Sequence, residues 1–269
     1  MKFKQVDVFT NRPFLGNPVA VVIGAEGLDT AAMQRIARWT NLSETTFLLP
    51  SSKADYRLRI FTPLQELPFA GHPTIGSAHA ALESGFVGKK AALRQECGAG
   101  ILELSVEDHW IYVRAPQPKI AALDKPIGFG KRALRVDVGP VWIVAELDDA
   151  QELAALEPDM AALAALSESL EATGVTLFAA SEDGVSTIHV RSFAPAQGVP
   201  EDPVCGSGNV SVAAYLRYTG ELERFERSYV ARQGMQLGRD GRVSVRVTDS
   251  DIEIGGHCVT CVEGTIRTS

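Results

Sequence analysis

The sequence has no long hydrophobic run. Its longest apolar stretches, around 19–23 and 141–145, are far shorter than the roughly 20 residues that a membrane-spanning helix needs. The N-terminal residues MKFKQVDVFT alternate apolar and polar side chains, without the continuous apolar segment of a signal peptide. We therefore expect a cytoplasmic protein that has no membrane partner.

Positive charge is scarce relative to negative charge. The chain of 269 residues has 26 Lys and Arg against 33 Asp and Glu, which gives a formal net charge of −7. Domains that bind nucleic acids usually carry a basic face, so this balance argues against a nucleic-acid partner. An acidic protein can still bind a small anion, because local backbone dipoles attract it.

Cysteine is also rare, and its spacing fits no disulfide framework. The four cysteines are Cys97, Cys205, Cys258 and Cys261. Cys258 and Cys261 form a C-x-x-C pair without a second pair, and on a strand this odd spacing points the two thiols to opposite faces. The glycine-rich signatures of nucleotide-binding loops are missing as well. We therefore expect neither a metal site nor a nucleotide cofactor.

The apolar patterns that are present predict a mixed α/β protein. Alternating apolar and polar residues predict a series of strands, among them 4–10, 19–23, 45–49 and 56–62. Two helices are predicted, one from Pro73 to Gly85 and one over 207–219. The region 116–130, which is rich in proline and glycine, is the predicted domain boundary.

The two halves of the chain resemble each other. Phe61-Thr62-Pro63 matches Phe193-Ala194-Pro195 at an offset of 132 residues, and Gly71 matches Gly206 at an offset of 135. Each half thus contains a strand, a loop with proline, a glycine and then a helix. Because these matches keep one order along the chain, they predict a duplicated α/β unit.

Both predicted central helices begin with small and polar residues. Pro73 in a first helical turn leaves the amides around Gly71–Thr74 at a helix N-terminus, where free N–H groups and the helix dipole attract anions. The residues Cys205-Gly206-Ser207-Gly208-Asn209 have the same layout at the second helix. We expect the two helix starts to hold the carboxylates of one small acid. The alternative is that each is only a turn that begins a helix, with His72 at the surface.

Four side chains are candidates for proton transfer or substrate contact. Asp202 either contacts an amino or protonated group of the ligand, orients His72, or is only a favourable charge at a helix start. Burial before a strand would raise the pKa of Glu44 and make it a general acid or base, unless it merely belongs to a helix-to-strand turn. Cys205 at a helix start would have a lowered pKa, although a small buried cysteine is the alternative. Ser207 lies in C-G-S-G rather than in the G-x-S-x-G of serine hydrolases.

Six segments, spread in order over essentially the whole chain, carry a family resemblance. They are DVFTNRPFLGNPVAVV at 7–22, NLSET at 41–45, FAGHPTIG at 69–76, EDPVCGSGN at 201–209, RQG at 232–234 and GGHCVTCVEGTIR at 255–267. Together they resemble the PhzF-like phenazine-biosynthesis isomerase family. The resemblance implies a diaminopimelate epimerase-like α/β (α+β) fold, with two pseudo-symmetric domains, each a mostly antiparallel sheet wrapped around a central helix.

The resemblance also implies a domain division and an assembly. The N-terminal domain would span 1–117 and be completed by the C-terminal strand at about 257–269, and the C-terminal domain would span 118–256. The active site would lie in the cleft between the domains, and the protein would be a homodimer.

Site residues follow from the same resemblance. Its catalytic residues fall on Glu44, His72, Asp202 and Ser207. Its substrate-binding positions fall on Asn17, Gly71, Pro73, Thr74, Gly206, Gly208, Asn209, Gln233 and Gly234. The implied reaction is a cofactor-free proton shift in a small carboxylic acid such as trans-2,3-dihydro-3-hydroxyanthranilate. Glu44 would remove a proton from one carbon and return it at a conjugated position.

One departure leaves other functions open. Two-base epimerases of this fold carry cysteine at matching positions of both halves, whereas this chain has Ala70 in the first and Cys205 in the second. Racemisation by two thiols is therefore disfavoured. An amino-acid or hydroxy-acid epimerase that uses Cys205 as a second acid/base with Glu44 remains an alternative, and so does a non-catalytic protein that binds small acids.

Overall fold

The structure is a computed structural model that describes residues 1–123, 127–181 and 183–267. The chain forms two compact units, the first from Met1–Arg114 together with the segment from Gly255 onwards, and the second from Ala115–Ile254. Part of the predicted boundary region, residues 124–126, and the end of the predicted C-terminal strand, residues 268 and 269, lie outside the described residues. Within the described ranges, no helix has the length and apolar character needed to cross a membrane.

The first unit is a mixed sheet with two helices. Its elements are β1 (Lys2–Val8), β2 (Asn17–Ile23), α1 (Thr30–Thr40), β3 (Thr45–Leu49), β4 (Tyr56–Phe61), β5 (Glu66–Leu67), α2 (Gly71–Glu83), β6 (Ala92–Cys97), β7 (Gly100–Glu107) and β8 (Trp110–Arg114), with the last strand of the chain. Neighbouring strands pair antiparallel, except that β2 pairs parallel with β3 and β4 parallel with β6. Helix α2 is almost entirely buried and contacts β1, β2, β3, β4 and β8.

The second unit is built in the same way. Its elements are β9 (Lys119–Ala122), β10 (Leu134–Asp137), β11 (Val141–Glu146), α3 (Ala150–Ala155), α4 (Met160–Ser169), β12 (Gly174–Ala180), β13 (Ile188–Ala194), β14 (Val199–Asp202), α5 (Gly206–Thr219), β15 (Ser228–Gln233) and β16 (Gly241–Val247); β17 (Ile252–Gly256) and β18 (Cys258–Thr265) follow. Helix α5 is the buried helix of this unit and contacts β10, β11, β12 and β16.

The order of strand pairings confirms the predicted duplication. In the first unit an antiparallel pair (β1, β2) is followed by a parallel neighbour (β3), an antiparallel return (β4), the central helix and a parallel strand (β6). In the second unit β10, β11, β12, β13, α5 and β15 repeat this order and these directions. Gly71 and Gly206 begin the two central helices, as the offset between the halves predicts.

An arginine–glutamate pair is repeated with the fold. In β4, Arg59 Nε and Nη2 donate to the two carboxylate oxygens of Glu66 at 2.7 and 2.6 Å. In β13, Arg191, which lies 132 residues later, donates in the same bidentate way to Glu201 at 2.8 and 2.9 Å. Each guanidinium also lies over the ring of the phenylalanine two residues further along its strand, at 5.1 and 4.9 Å. The pair fastens the short strand that leads into each central helix.

Helix α1 forms where its cap and its apolar spacing predict it. The Asp29 carboxylate accepts a hydrogen bond from the Ala32 N–H at 2.7 Å and so caps the first turn. Met33 and Ala37, which are four residues apart and therefore on one face, are buried in a cluster with Phe47. The exposed face of this helix carries polar side chains, so the helix covers the outside of the sheet rather than its centre.

The last strand closes the first unit. Strand β18 pairs antiparallel with β1 along the whole length of β1, from Lys2 opposite Thr265 to Val8 opposite Cys258. The Lys4 side chain, which is 2% exposed, bridges α2 and β18 through ion pairs with Glu83 at 2.8 Å and Glu263 at 3.2 Å. Residues from the two ends of the chain are thereby joined in one sheet.

Two details differ from the pattern-based expectations. Helix α2 begins at Gly71 rather than at Pro73, so that the proline is the third helical residue. The predicted boundary region 116–130 contains the short strand β9, which pairs antiparallel with β10. The alternation in β9 covers only four residues between prolines, which is too short to stand out as a strand in the sequence.

Gly76 allows helix α2 to lie close against the sheet. A Cβ atom added there would come 2.5 Å from Val19 Cγ1 and 2.7 Å from Val8 Cγ2. Both valines are fully buried, so neither can move away without disturbing the core.

We expect Gly76→Ala to lower the free energy of unfolding by about 1–3 kcal/mol, because overpacking outweighs the better helix propensity of alanine. Urea denaturation measures this. Gly88→Ala is the matched control, since an added Cβ there meets nothing within 4 Å, and it should change stability by less than about 0.5 kcal/mol. Equal stabilities of the two variants would contradict the packing argument.

Candidate active site

Glu44 and His72 are neighbours in the first unit. Helix α1 ends at Asn41, whose left-handed backbone (φ 53°) reverses the chain so that Glu44 lies directly before β3. The Glu44 carbonyl accepts a hydrogen bond from the Ala20 N–H at 3.3 Å, which holds this segment beside β2. His72 is the second residue of α2, and its Nδ1 lies 3.3 Å from Glu44 Oε2. The structure therefore brings the two predicted catalytic residues of this unit together.

His72 is neutral at pH 7. Burial lowers the pKa of its imidazole to about 4, and a hydrogen bond to the backbone of Pro18 opposes this only in part. The contact with Glu44 is therefore not an ion pair. A neutral imidazole has one N–H and one lone pair, so it can exchange a proton with an adjacent carboxyl group. The contact with Pro18 also places the predicted residue Asn17, the next residue in β2, in this region of the unit.

The first turn of α2 is fixed by a buried glutamine. Gln95 is fully buried in β6, and its Nε2 donates to Thr74 Oγ1 at 3.2 Å while its Oε1 accepts from the Tyr56 hydroxyl at 3.0 Å. The Thr74 N–H donates to the Ala70 carbonyl, and Pro73 has no N–H. The amides of the first two helical residues precede the intrahelical bonds and remain available to a ligand.

The start of α5 in the second unit carries the other predicted catalytic residues. Asp202 ends β14, Cys205 is the N-cap of α5, and Ser207 is in its first turn. Cys205 Sγ accepts a hydrogen bond from the Gly208 N–H at 3.2 Å and lies 3.5 Å from Ser207 Oγ. The indole Nε1–H of Trp142, a residue that the sequence analysis missed, donates to Ser207 Oγ at 3.0 Å.

A second buried glutamine holds this helix start. Gln233 in β15 is fully buried, and its Oε1 accepts from the Cys205 N–H at 3.1 Å and from Asn209 Nδ2 at 3.0 Å. Its Nε2 donates to the Asp202 carbonyl at 2.9 Å. Gln95 is the counterpart on the equivalent strand of the first unit. The duplication therefore includes a glutamine that braces each central helix, and a buried polar residue within an apolar strand was the sequence signal for it.

Two predicted glycines let this loop pack against its surroundings. Gly234 has a left-handed backbone (φ 97°), and an added Cβ would lie 2.4 Å from the Pro203 carbonyl oxygen. An added Cβ at Gly208 would lie 2.5 Å from Ser192 Oγ. Only glycine fits both places without displacing the loop that carries Asp202. Their role as substrate-binding positions stays a prediction.

Burial changes the acidity of the loop residues. It raises the pKa of Asp202 to about 6, although the Val204 N–H and the Cys205 thiol donate to this carboxylate. Burial also raises the pKa of the Cys205 thiol well above its ordinary value, and the neighbouring Asp202 charge adds to this. The lowered pKa expected for a thiol at a helix start is therefore wrong, because burial outweighs the stabilising N–H and hydroxyl donors.

The predicted residues thus form one cluster in each unit. The first contains Glu44 and His72, and the second contains Asp202, Cys205, Ser207 and Gln233. In the part of the chain that the structure describes, no group of three or more His, Cys, Asp or Glu side chains is placed to hold a metal ion.

Comparison with known proteins gives the family. A family model described as phenazine biosynthesis-like protein matches residues 6–264. Antisense-enhancing sequence 1 from Schizosaccharomyces pombe is 41% identical over 290 residues, and the match covers 97% of both chains. The trans-2,3-dihydro-3-hydroxyanthranilate isomerase of Pseudomonas chlororaphis is 33% identical over 279 residues, again covering 97% of both. The crystal structure of the Bacillus anthracis phenazine biosynthesis protein, PhzF family, matches with a TM-score of 0.88 at 28% identity, covering 99% of both chains.

The class of the protein follows from these findings together with the duplicated fold. It is an enzyme, and its reaction class is isomerisation. The chain belongs to the phenazine biosynthesis-like (PhzF) protein family.

The pH dependence of stability reports the buried neutral imidazole. The pKa of His72 is about 4 in the folded protein and 6.5 in its absence of burial, so the unfolded chain binds more protons between these values. The stability from neutral burial is complete above pH 6.5, and about 2 kcal/mol of it is lost between pH 6.5 and pH 5. We expect His72→Gln to flatten this part of the curve of unfolding free energy against pH, measured by urea denaturation.

His109→Asn is the control for this experiment, because His109 is exposed and asparagine tolerates its left-handed backbone (φ 72°). Its curve should run parallel to that of the wild type. A wild-type curve parallel to that of His72→Gln would show that His72 is not buried in its neutral form.

Proposed function

We propose that the protein catalyses a cofactor-independent proton shift between two carbons of a small carboxylic acid, with Glu44 as the general acid and base. The observation that carries this proposal is the 3.3 Å contact between Glu44 Oε2 and the neutral imidazole of His72 at the start of a buried helix. A carboxyl group held against a neutral imidazole can take up a proton and give it back.

The proposed reaction has two proton transfers. Glu44 first removes a proton from a carbon that adjoins an unsaturated system, and the electron pair of the C–H bond moves into that system. Glu44 then returns a proton at the conjugated carbon, and the double bond shifts accordingly. Because both carbons can present the same face, one carboxyl group serves both steps. His72 positions the Glu44 carboxyl group and relays its proton.

The helix starts supply binding and charge stabilisation. Backbone amides at the start of α2, from Gly71 and His72, and at the start of α5, from Gly206 and Ser207, are suited to carboxylate oxygens and to negative charge that develops in the transition state. The Asp202 carboxylate, which is ionised above pH 6 because of its raised pKa, is suited to an amino or hydroxyl group of the substrate. We propose that both clusters are needed for the same reaction.

The first substrate to test is trans-2,3-dihydro-3-hydroxyanthranilate. Relatives from Pseudomonas chlororaphis and Pseudomonas aeruginosa, which are 33% and 32% identical to this chain, are named as isomerases of that compound. It carries a carboxylate, an amino group and a hydroxyl group, which correspond to the donors and acceptors of the two clusters. We further propose a homodimer in the cytoplasm, as the family resemblance implies; the mass by light scattering of the purified protein tests the assembly.

Glu44→Gln should lower kcat by about 100- to 10,000-fold, because the amide cannot accept or return the proton. The measurement is isomerisation of trans-2,3-dihydro-3-hydroxyanthranilate in deuterated water without added cofactor, with deuterium incorporation followed by NMR. Glu26→Gln, at an exposed position, is the matched control and should behave like the wild type. Turnover by Glu44→Gln at the wild-type rate would exclude Glu44 as the base.

Cys205 separates the proposed shift from epimerisation. The raised pKa keeps the thiol protonated, so we expect Cys205→Ala to retain deuterium incorporation at the isomerised carbon, with kcat lowered less than about tenfold. An epimerase that uses this thiol as a base would instead lose solvent exchange for one enantiomer of an amino or hydroxy acid only. That asymmetric loss, measured on a panel of such acids, would replace the proposed function by epimerisation.

A further inference from the structure

Trp142 begins a chain of hydrogen bonds that runs through the second unit. Its indole Nε1–H donates to Ser207 Oγ at 3.0 Å, and Ser207 Oγ lies 3.5 Å from Cys205 Sγ. The Cys205 thiol in turn is hydrogen-bonded to the carboxylate of Asp202. Four side chains from β11, the start of α5 and the end of β14 are thus connected in series.

The chemistry of the two ends gives this chain a direction. An indole can only donate a hydrogen bond, and an ionised carboxylate can only accept one. Ser207 Oγ therefore accepts from Trp142, and its own hydrogen points away from the indole. Cys205 Sγ accepts from the Gly208 N–H at 3.2 Å, so the thiol hydrogen is left to point to Asp202. The direction from Trp142 to Asp202 follows without any assumption about the ligand.

The indole is held too firmly to change its role. Trp142 is 3% exposed, and its strand β11 is paired on both sides, antiparallel with β10 and parallel with β12. The edge of the ring packs against Gly174, where an added Cβ would lie 2.9 Å from Trp142 Cζ3. The position of the donor is therefore set by the core of the unit and not by the loop that carries Ser207.

We propose that Trp142 is a positioning residue that fixes the donor direction of the Ser207 hydroxyl, so that Ser207 offers its hydrogen to an acceptor oxygen of the substrate. When no ligand is bound, that hydrogen has the Cys205 sulfur as its acceptor. A substrate carboxylate oxygen is the stronger acceptor and displaces the weak bond to sulfur. The site therefore selects for an acceptor at this position, and a substrate group that can only donate is disfavoured.

The first test needs no substrate and is independent of the proposed function. The chain has three tryptophans, so the ¹⁵N–¹H correlation spectrum of the full-length protein should contain three indole signals, which Trp→Phe variants assign. Ser207→Ala keeps Trp142 but removes its acceptor. We expect the Trp142 indole proton to move upfield and to exchange faster with solvent, while the signals of Trp39 and Trp110 stay in place. An unchanged Trp142 signal would overturn the proposal.

The second test rests on the proposed function and is a double-mutant cycle. Trp142→Phe keeps an aromatic ring but removes the N–H group. We expect it to lower kcat/KM for trans-2,3-dihydro-3-hydroxyanthranilate by about tenfold in the wild type, which is the loss of one hydrogen bond. In the Ser207→Ala background the same substitution should lower it by less than about twofold. Trp39→Phe, at a side chain that is 78% exposed, is the matched control and should leave kcat/KM unchanged.

The outcomes separate the two proposals. An equal loss from Trp142→Phe in both backgrounds would mean that Trp142 only packs the core, and it would contradict the positioning role. If Trp142→Phe does not fold, the indole signal in Ser207→Ala still decides. If the wild type does not turn over the substrate, the proposed function is contradicted for that compound, whereas the indole signal continues to test Trp142.

Discussion

Each unit buries its central helix from the first turn, and this imposes a strict requirement on the backbone. The first N–H groups of a helix have no intrahelical acceptor, and leaving them buried without a partner costs free energy. In α5 the Cys205 sulfur accepts the Gly208 N–H, and the Cys205 N–H is bound by Gln233. The amides that remain at the very start of the helix are the groups suited to an anion. Anion binding is therefore the counterpart of burying the helix, and the other features of the two clusters depend on it.

The same requirement explains why the two units diverge in side chains while they keep the same topology. At the N-cap of α2, Ala70 provides no side-chain acceptor, whereas at the N-cap of α5 the Cys205 sulfur provides one. Glutamine braces both helices, but Gln95 binds a side chain in the first turn whereas Gln233 binds a backbone N–H, a side chain and a carbonyl. The α5 start is thus the more rigidly held of the two. The α2 start has the titratable pair instead.

Much of this arrangement is readable from the sequence because it is encoded locally or repeated. Proline and glycine at the helix starts, the Asp29 cap and the offset of 132 to 135 residues between the halves predict the elements and their duplication. The contact between Trp142 and Ser207 joins residues 65 positions apart, and no local pattern encodes it. The acidity of Cys205 was predicted in the wrong direction, because the sequence shows the helix start but not the burial that dominates the thiol pKa. The Arg59 and Arg191 pairs were within reach, since they keep the same offset.

The pairing of β18 with β1 has a consequence for the order in which the protein is made. A ribosome releases β1 first and β18 last, so the sheet of the first unit lacks its outer strand, and Lys4 lacks Glu263, until translation is nearly complete. The second unit is continuous in sequence from Ala115 to Ile254 and needs nothing that is synthesised later. Since domains fold as units during synthesis, the unit that begins the chain is the one that finishes folding last. Closing a loop of this length slows that step as well.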